Sequence, residues 1–75
     1  MIVMHPVISS NIESVGYDPE THRLRVAFKN GTAYIYPKVP PALYEKLLKA
    51  ESVGKMFAKD IRPVFIGLKD PEVKS

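Results

Sequence analysis

Cysteine is absent from these 75 residues, which excludes a disulfide framework and a thiolate metal site as supports for the fold. Glycine occurs only four times, at Gly16, Gly31, Gly54 and Gly67, too scattered to form a loop that cradles phosphate. No apolar run approaches the ~20 residues that span a bilayer. His5 and His22 lack the paired spacing of a helical metal motif. Ser9 and Ser10 have no companion histidine and base to activate a hydroxyl. The carboxylates Glu13, Asp18, Glu20, Glu45, Glu51 and Asp60 include no evident acid–base pair. The expectation is a protein without catalytic residues, metal or cofactor. The start, Met1 to Pro6, has neither a basic segment nor a continuous apolar stretch of signal-peptide length, so a cytoplasmic location with no membrane partner is expected.

What is present fits one small domain over residues 1–75, with a core at about 7–66 and flexible ends at 1–6 and 69–75. A chain this short buries roughly 60% of its unfolded surface, so its core must be used well, and an oligomer is one way to add burial. Eleven Lys and Arg against eight Asp and Glu give a net charge of +3, which permits an anionic partner without requiring one. Seven prolines sit at edges and turns, where the missing N–H does least harm.

The first clear strand is Ile12 to Tyr17, after a lead-in with a short edge strand around Val7 and Ile8. Asp18-Pro19-Glu20-Thr21-His22 reads as a turn: Asp18 accepts from backbone N–H groups ahead of it, Pro19 presets φ, and His22 takes the left-handed position. Arg23 to Phe28 alternates apolar Leu24, Val26 and Phe28 against Arg23, Arg25 and Ala27, the pattern of a half-buried strand. Asn30-Gly31 signals a hairpin with a two-residue type I′ turn. Counting outward from that turn pairs Phe28 with Ala33, Ala27 with Tyr34, Val26 with Ile35 and Arg25 with Tyr36. Leu24, Val26, Phe28, Ala33 and Ile35 then share the apolar face, and Tyr34 and Tyr36 share the other with Arg23 and Arg25.

Pro40-Pro41 opens a helix, and Leu43, Tyr44, Leu47 and Leu48 form its apolar stripe. Ser52 caps a second short helix, Val53 to about Asp60, with Val53, Met56, Phe57 and Ile61 inward. Arg62-Pro63 ends it, and Val64-Phe65-Ile66 either adds a strand or packs over the core. The expected architecture is α+β: a three-stranded antiparallel meander with two short helices packed on one face.

Several of these segments together resemble the KTSC domain family. They are Ser9 to Asp18, Leu24-x-Val26-x-Phe28-x-x-Gly31, Tyr34-x-Tyr36, Val39-Pro40, Ser52-x-Gly54-Lys55-x-Phe57 and Ile61, covering roughly residues 7 to 65. The family is named for a short domain at the carboxyl end of some lysyl-tRNA synthetases and also occurs as stand-alone proteins. The resemblance implies this small fold, a central tyrosine pair matched by Tyr34 and Tyr36, and RNA as a suggested ligand. One departure is Ala58, where many members carry Asn.

A face with two tyrosines and arginines admits three readings. It can stack bases on Tyr34 and Tyr36 while Arg23, Arg25 and Lys29 hold phosphates. Its tyrosines can be cross-strand packing partners. It can form a protein interface, including that of a homodimer. The leading expectation is a non-enzymatic module for RNA or single-stranded nucleic acid, with protein–protein interaction through the same face as the alternative. Lys55, Lys59 and Arg62 recur at helical spacing, and are read as a solvated face sooner than as an extension of a phosphate-binding surface.

Overall fold

Five strands are hydrogen-bonded in sequence order into one antiparallel sheet: β1 (Met4–Pro6), β2 (Ile12–Asp18), β3 (Arg23–Phe28), β4 (Ala33–Tyr36) and β5 (Leu68–Lys69). This computed structural model describes residues 2–70. Between β4 and β5 lie helix α1 (Pro41–Lys49) and helix α2 (Val53–Met56), the latter widening into a π-helical turn over Phe57–Ile61. The α+β class and the two helices stand as expected, but the sheet has five strands, not three. Both outer strands come from near the chain ends: Met4 pairs with Gly16 and Pro6 with Ser14, while Leu68 pairs with Ile35 and Lys69 with Tyr34. Met4–Pro6 and Lys69 fall in the segments expected to be flexible, of which residues 1 and 71–75 lie outside the described residues. The physical reason is edge satisfaction: a three-stranded meander leaves two rows of N–H and C=O groups open, and short flanking segments can pair with them. Strands of two and three residues are too short to write a period-two pattern into the sequence.

The core lies between one sheet face and the helices. Ile12, Val15, Leu24, Val26 and Tyr36 come from the sheet; Val39, Leu47, Val53, Phe57 and Ile61 close over them. Ile12 and Val15 both point inward because the β2–β3 register shifts between Ile12 and Ser14, so Glu13 is left outside the alternation. Fully burying each aliphatic side chain contributes about 1.5–3 kcal/mol before chain entropy is subtracted.

Local turn chemistry fixes the frame. Glu20 N–H donates to Asp18 Oδ1 at 2.9 Å, and His22 takes φ 57°. Val39 N–H then reaches back to the His22 carbonyl at 2.9 Å, and the Tyr17 hydroxyl donates to the Val39 carbonyl, joining β2 to the segment ahead of α1. Pro41 stands in the first turn of α1, and Ser52 Oγ caps α2 by accepting from Lys55 N–H at 3.3 Å. No described helix is long and apolar enough to cross a membrane.

The β3–β4 hairpin departs from the expected register by one residue. Ala27 pairs with Ala33, Val26 with Tyr34, Arg25 with Ile35 and Leu24 with Tyr36. A type I′ turn needs φ > 0 at both central residues. In this loop only Gly31 has it, at 93°; Asn30 does not. Gly31 N–H instead bonds the Phe28 carbonyl at 3.1 Å, and Phe28 N–H bonds the Thr32 carbonyl at 2.8 Å, closing a three-residue loop Lys29-Asn30-Gly31. Because side chains alternate with period two, one extra loop residue moves every side chain of β4 to the other face. Tyr34 and Tyr36 therefore stand on the core side with Leu24 and Val26, and Ile35 stands on the opposite side with Arg25. The assignment of the tyrosines to an arginine-bearing face is overturned.

Candidate functional site

The residues expected to act together are divided between the two sheet faces. Tyr36 is 5% exposed and packs edge-on against Phe57 at 5.5 Å between ring centroids. Its ring also lies against Gly67, where an added Cβ would stand 2.5 Å from Cε2; no side chain fits between the C-terminal segment and Tyr36. Tyr36 is thus a core residue with no flat face free for stacking. Tyr34 is half-buried, in a T-shaped contact with Phe28 at 6.1 Å. On the opposite face Arg25 Nε donates to Asp70 Oδ2 at 2.9 Å, within an ion pair whose carboxylate is 9% exposed. Arg25 and Lys29 border a shallow hollow of about 310 Å³ there, together with Glu13. Arg23 is exposed and pairs in register with Asp18 at the far end of β3.

The tyrosines open instead onto a cleft of about 450 Å³ between the β3–β4 hairpin and α2 with its π-turn. Phe28, Tyr34 and Tyr36 form its floor. Asn30 and Thr32 stand on the hairpin side, Phe57, Ala58 and Arg62 on the helix side, and Asn11 and Gly54 at one end. The helix comes this close to the Ser9–Asn11 loop because residue 54 is glycine: a Cβ there would lie 2.9 Å from Ser9 Oγ and 3.2 Å from Asn11 Oδ1. The π-turn keeps Phe57 and Ile61 buried while Ala58 and Arg62 remain exposed. A methyl group at position 58 leaves the cleft wide on that side.

Among the described residues no carboxylate lines the cleft, and Arg62 supplies a positive charge. The Tyr36 hydroxyl feels both influences of the site. Burial pushes its pKa above the usual phenol value, the nearby Arg62 charge draws it partly back, and Tyr34 adds a small upward push. An aromatic floor, donor-bearing walls and a cation suit a flat ring that carries carbonyl or phosphate oxygens.

Of these lining residues, Tyr34 and Tyr36 stand out in the sequence through their spacing alone. Asn30 reads there as turn chemistry, which it also performs. Arg62 reads as part of a solvated stripe with Lys55 and Lys59. Asn11 carries no signal of its own, since its place in the cleft depends on the approach of Gly54.

Comparison with known proteins agrees with the geometry of the fold. The sequence model of the KTSC domain matches residues 8–65. A protein of Tsukamurella paurometabola is 44% identical over 62 residues, covering 83% of this chain and 92% of that protein. A lysine–tRNA ligase of Nostoc punctiforme is 39% identical over 56 residues, which make up 75% of this chain and 10% of the ligase. The crystal structure of a KTSC domain protein from Yersinia pestis superposes with a TM-score of 0.89 at 33% identity, covering 93% of this chain and 99% of that one.

Proposed function

The chain belongs to the KTSC domain family, and from that premise we propose that it is a small cytoplasmic, non-enzymatic module that binds single-stranded RNA by taking one unpaired base into the cleft beside Tyr34. The observation that carries this reading is the composition of the cleft: an aromatic floor, a guanidinium at the rim and no carboxylate among the described residues, in a volume of about 450 Å³. Single-stranded RNA is recognised largely through splayed-out bases stacked on aromatic rings and held by their edges, while phosphates meet arginine. Tyr34 would carry the base, Tyr36 would contribute its hydroxyl from the floor, and Arg62 would meet an oxygen of the bound nucleotide. Lys29 on the hairpin loop remains available to the strand as it leaves the cleft. Arg25 is engaged with Asp70 and has no part in this reading. The occurrence of a similar segment within proteins named as lysine–tRNA ligases is in keeping with an RNA ligand.

The test is a titration with single-stranded RNA followed by fluorescence anisotropy. Tyr34→Ala should weaken binding about tenfold or more, the value of one stacked base, with an unchanged circular dichroism spectrum. Equal affinity of a folded Tyr34→Ala protein and the parent would remove the stacking role.

Self-association is favoured by a separate observation. Val64, Ile66 and Leu68 are 67%, 81% and 61% exposed along the segment that forms the β5 edge. Sedimentation at two concentrations tests it: a dimer that Ile66→Asp dissociates would support pairing through this edge, and a monomer throughout would exclude it.

A further inference from the structure

Resting on the RNA reading above, we infer that the cleft discriminates among bases and favours uracil (or thymine, which presents the same edge). On the hairpin wall, Asn30 and Thr32 have much of their hydrogen-bonding capacity fixed on each other, and what remains has a definite pattern. Asn30 Oδ1 accepts from Thr32 N–H at 3.0 Å and from Thr32 Oγ1 at 2.6 Å. Two donors fill the two lone pairs of a carboxamide oxygen, so only the amino group of Asn30 is open, and an amino group only donates. Thr32 Oγ1 has given its single proton to Asn30, so toward a ligand it only accepts. From the helix side, Arg62 brings a guanidinium, which also only donates. The hairpin wall thus sets a donor beside an acceptor, and the facing wall adds a second donor.

Uracil carries the complement on its Watson–Crick edge: a carbonyl, an N3–H and a second carbonyl. Its carbonyl oxygens suit Asn30 and Arg62, and its N3–H suits Thr32 Oγ1. Each of the other bases places an exocyclic amino group on that edge, which would face one of these donors. Adenine and cytosine also have an unprotonated ring nitrogen where Thr32 needs a proton. A donor set against a donor forms no hydrogen bond, whereas uracil forms one at each position, and that difference decides the preference. Asn11 stands apart from these walls, at the end of the cleft beside Gly54; its Oδ1 accepts from Ser9 Oγ at 3.1 Å and keeps one lone pair.

The experiment compares the full chain with uridine, adenosine and cytidine homo-oligonucleotides of equal length at one low salt concentration. Uridine should bind at least about tenfold tighter than the other two, the discrimination given by a matched base edge. An oligonucleotide of 3-methyluridine keeps both carbonyls and the stacking ring but has no N3–H, and should lose that advantage. Asn30→Asp replaces the amino group by an acceptor while keeping an oxygen for Thr32. It should collapse the uridine-to-adenosine affinity ratio toward unity, in a protein whose circular dichroism is unchanged. Equal affinities for the three homo-oligonucleotides, or undiminished binding of 3-methyluridine, would overturn the base preference and leave the RNA reading in place. Failure of the parent protein to bind any of them would overturn both.

Discussion

The rings of Tyr17 and Tyr44 stack at 4.9 Å between centroids and 14° between planes, yet among the described residues only one of the two hydroxyls finds a hydrogen-bond partner. Tyr17 donates to the Val39 carbonyl, whereas the Tyr44 hydroxyl is buried without a hydrogen-bond partner among the described residues. One stacked pair joins β2 to α1 while carrying both a useful and a costly polar group.

The two tyrosines should therefore respond oppositely to loss of the hydroxyl. Tyr44→Phe keeps the stack and removes an unsatisfied group, so stability should be unchanged or rise by up to about 1 kcal/mol. Tyr17→Phe keeps the same stack but strands the Val39 carbonyl, and should cost about 1–2 kcal/mol. Urea denaturation of the two variants against the parent measures both. A larger loss from Tyr44→Phe than from Tyr17→Phe would contradict this account.

A second pair sets the value of the short strand β5. Arg25 and Asp70 lie 45 positions apart and meet at 2.9 Å, while Asp70 N–H donates to the Ala33 carbonyl at 2.9 Å. Asp70→Asn preserves the shape and the backbone bond but leaves the partly buried guanidinium without its counter-charge. Arg25 retains some solvent access, so the cost should be about 1–2 kcal/mol, below that of breaking a fully buried pair. The loss should also appear as faster amide exchange at Leu68 and Lys69, the only two residues of β5. Unchanged exchange there would mean that the ion pair does not hold the strand.

Burial also gives the protein an alkaline limit. Tyr17, Tyr36 and Tyr44 all have pKa values raised above 10.0, each chiefly by loss of hydration around the phenolate. Above that pH the unfolded chain releases phenol protons that the folded chain retains, so the unfolded state binds fewer protons and stability falls as pH rises. The stabilising contribution is complete below pH 10 and is lost as pH climbs through the raised values. Tyrosinate absorbance followed alongside circular dichroism should show a fraction of the tyrosines ionising only as the fold is lost. Complete ionisation of all four tyrosines in a still-folded protein would contradict it.

One loop residue separates the hairpin register that Asn30-Gly31 favours locally from the register of the fold. The position of the β3–β4 hairpin is legible in Asn30-Gly31, and so are the Asp18–His22 turn, the Ser52 cap and the inward stripe of Val53, Phe57 and Ile61. The size of the loop is not. Asn-Gly favours a two-residue turn locally, but that register would bury Ile35 and expose two tyrosines. The three-residue loop instead lets Tyr36 reach Phe57 across the core, and Asn30 serves it by accepting the Thr32 N–H. Tertiary packing decides between two turns that differ little in local energy, and it decides the face of every β4 side chain with them. The cleft was illegible for the same reason, since its walls meet only when Tyr34 and Tyr36 turn toward α2.

Gly31 makes the choice of loop open to measurement. At φ 93° it occupies backbone space that a side chain enters only under strain. Gly31→Ala should cost at least about 1 kcal/mol in urea denaturation, because alanine is incompatible with the native conformation even though it restricts the unfolded chain. Gly31→Asn, which tolerates the left-handed region better, should recover part of that loss. If the loop were a two-residue type I′ turn, residue 30 would share the left-handed requirement, and Asn30→Ala and Asn30→Gly would differ by as much as the substitutions at 31. In the three-residue loop Asn30 has negative φ and contributes through its side chain, so both substitutions should cost about 1 kcal/mol and resemble each other. Near-equal losses at 30 together with a large Ala penalty at 31 would establish in solution the register that carries Tyr34 into the cleft.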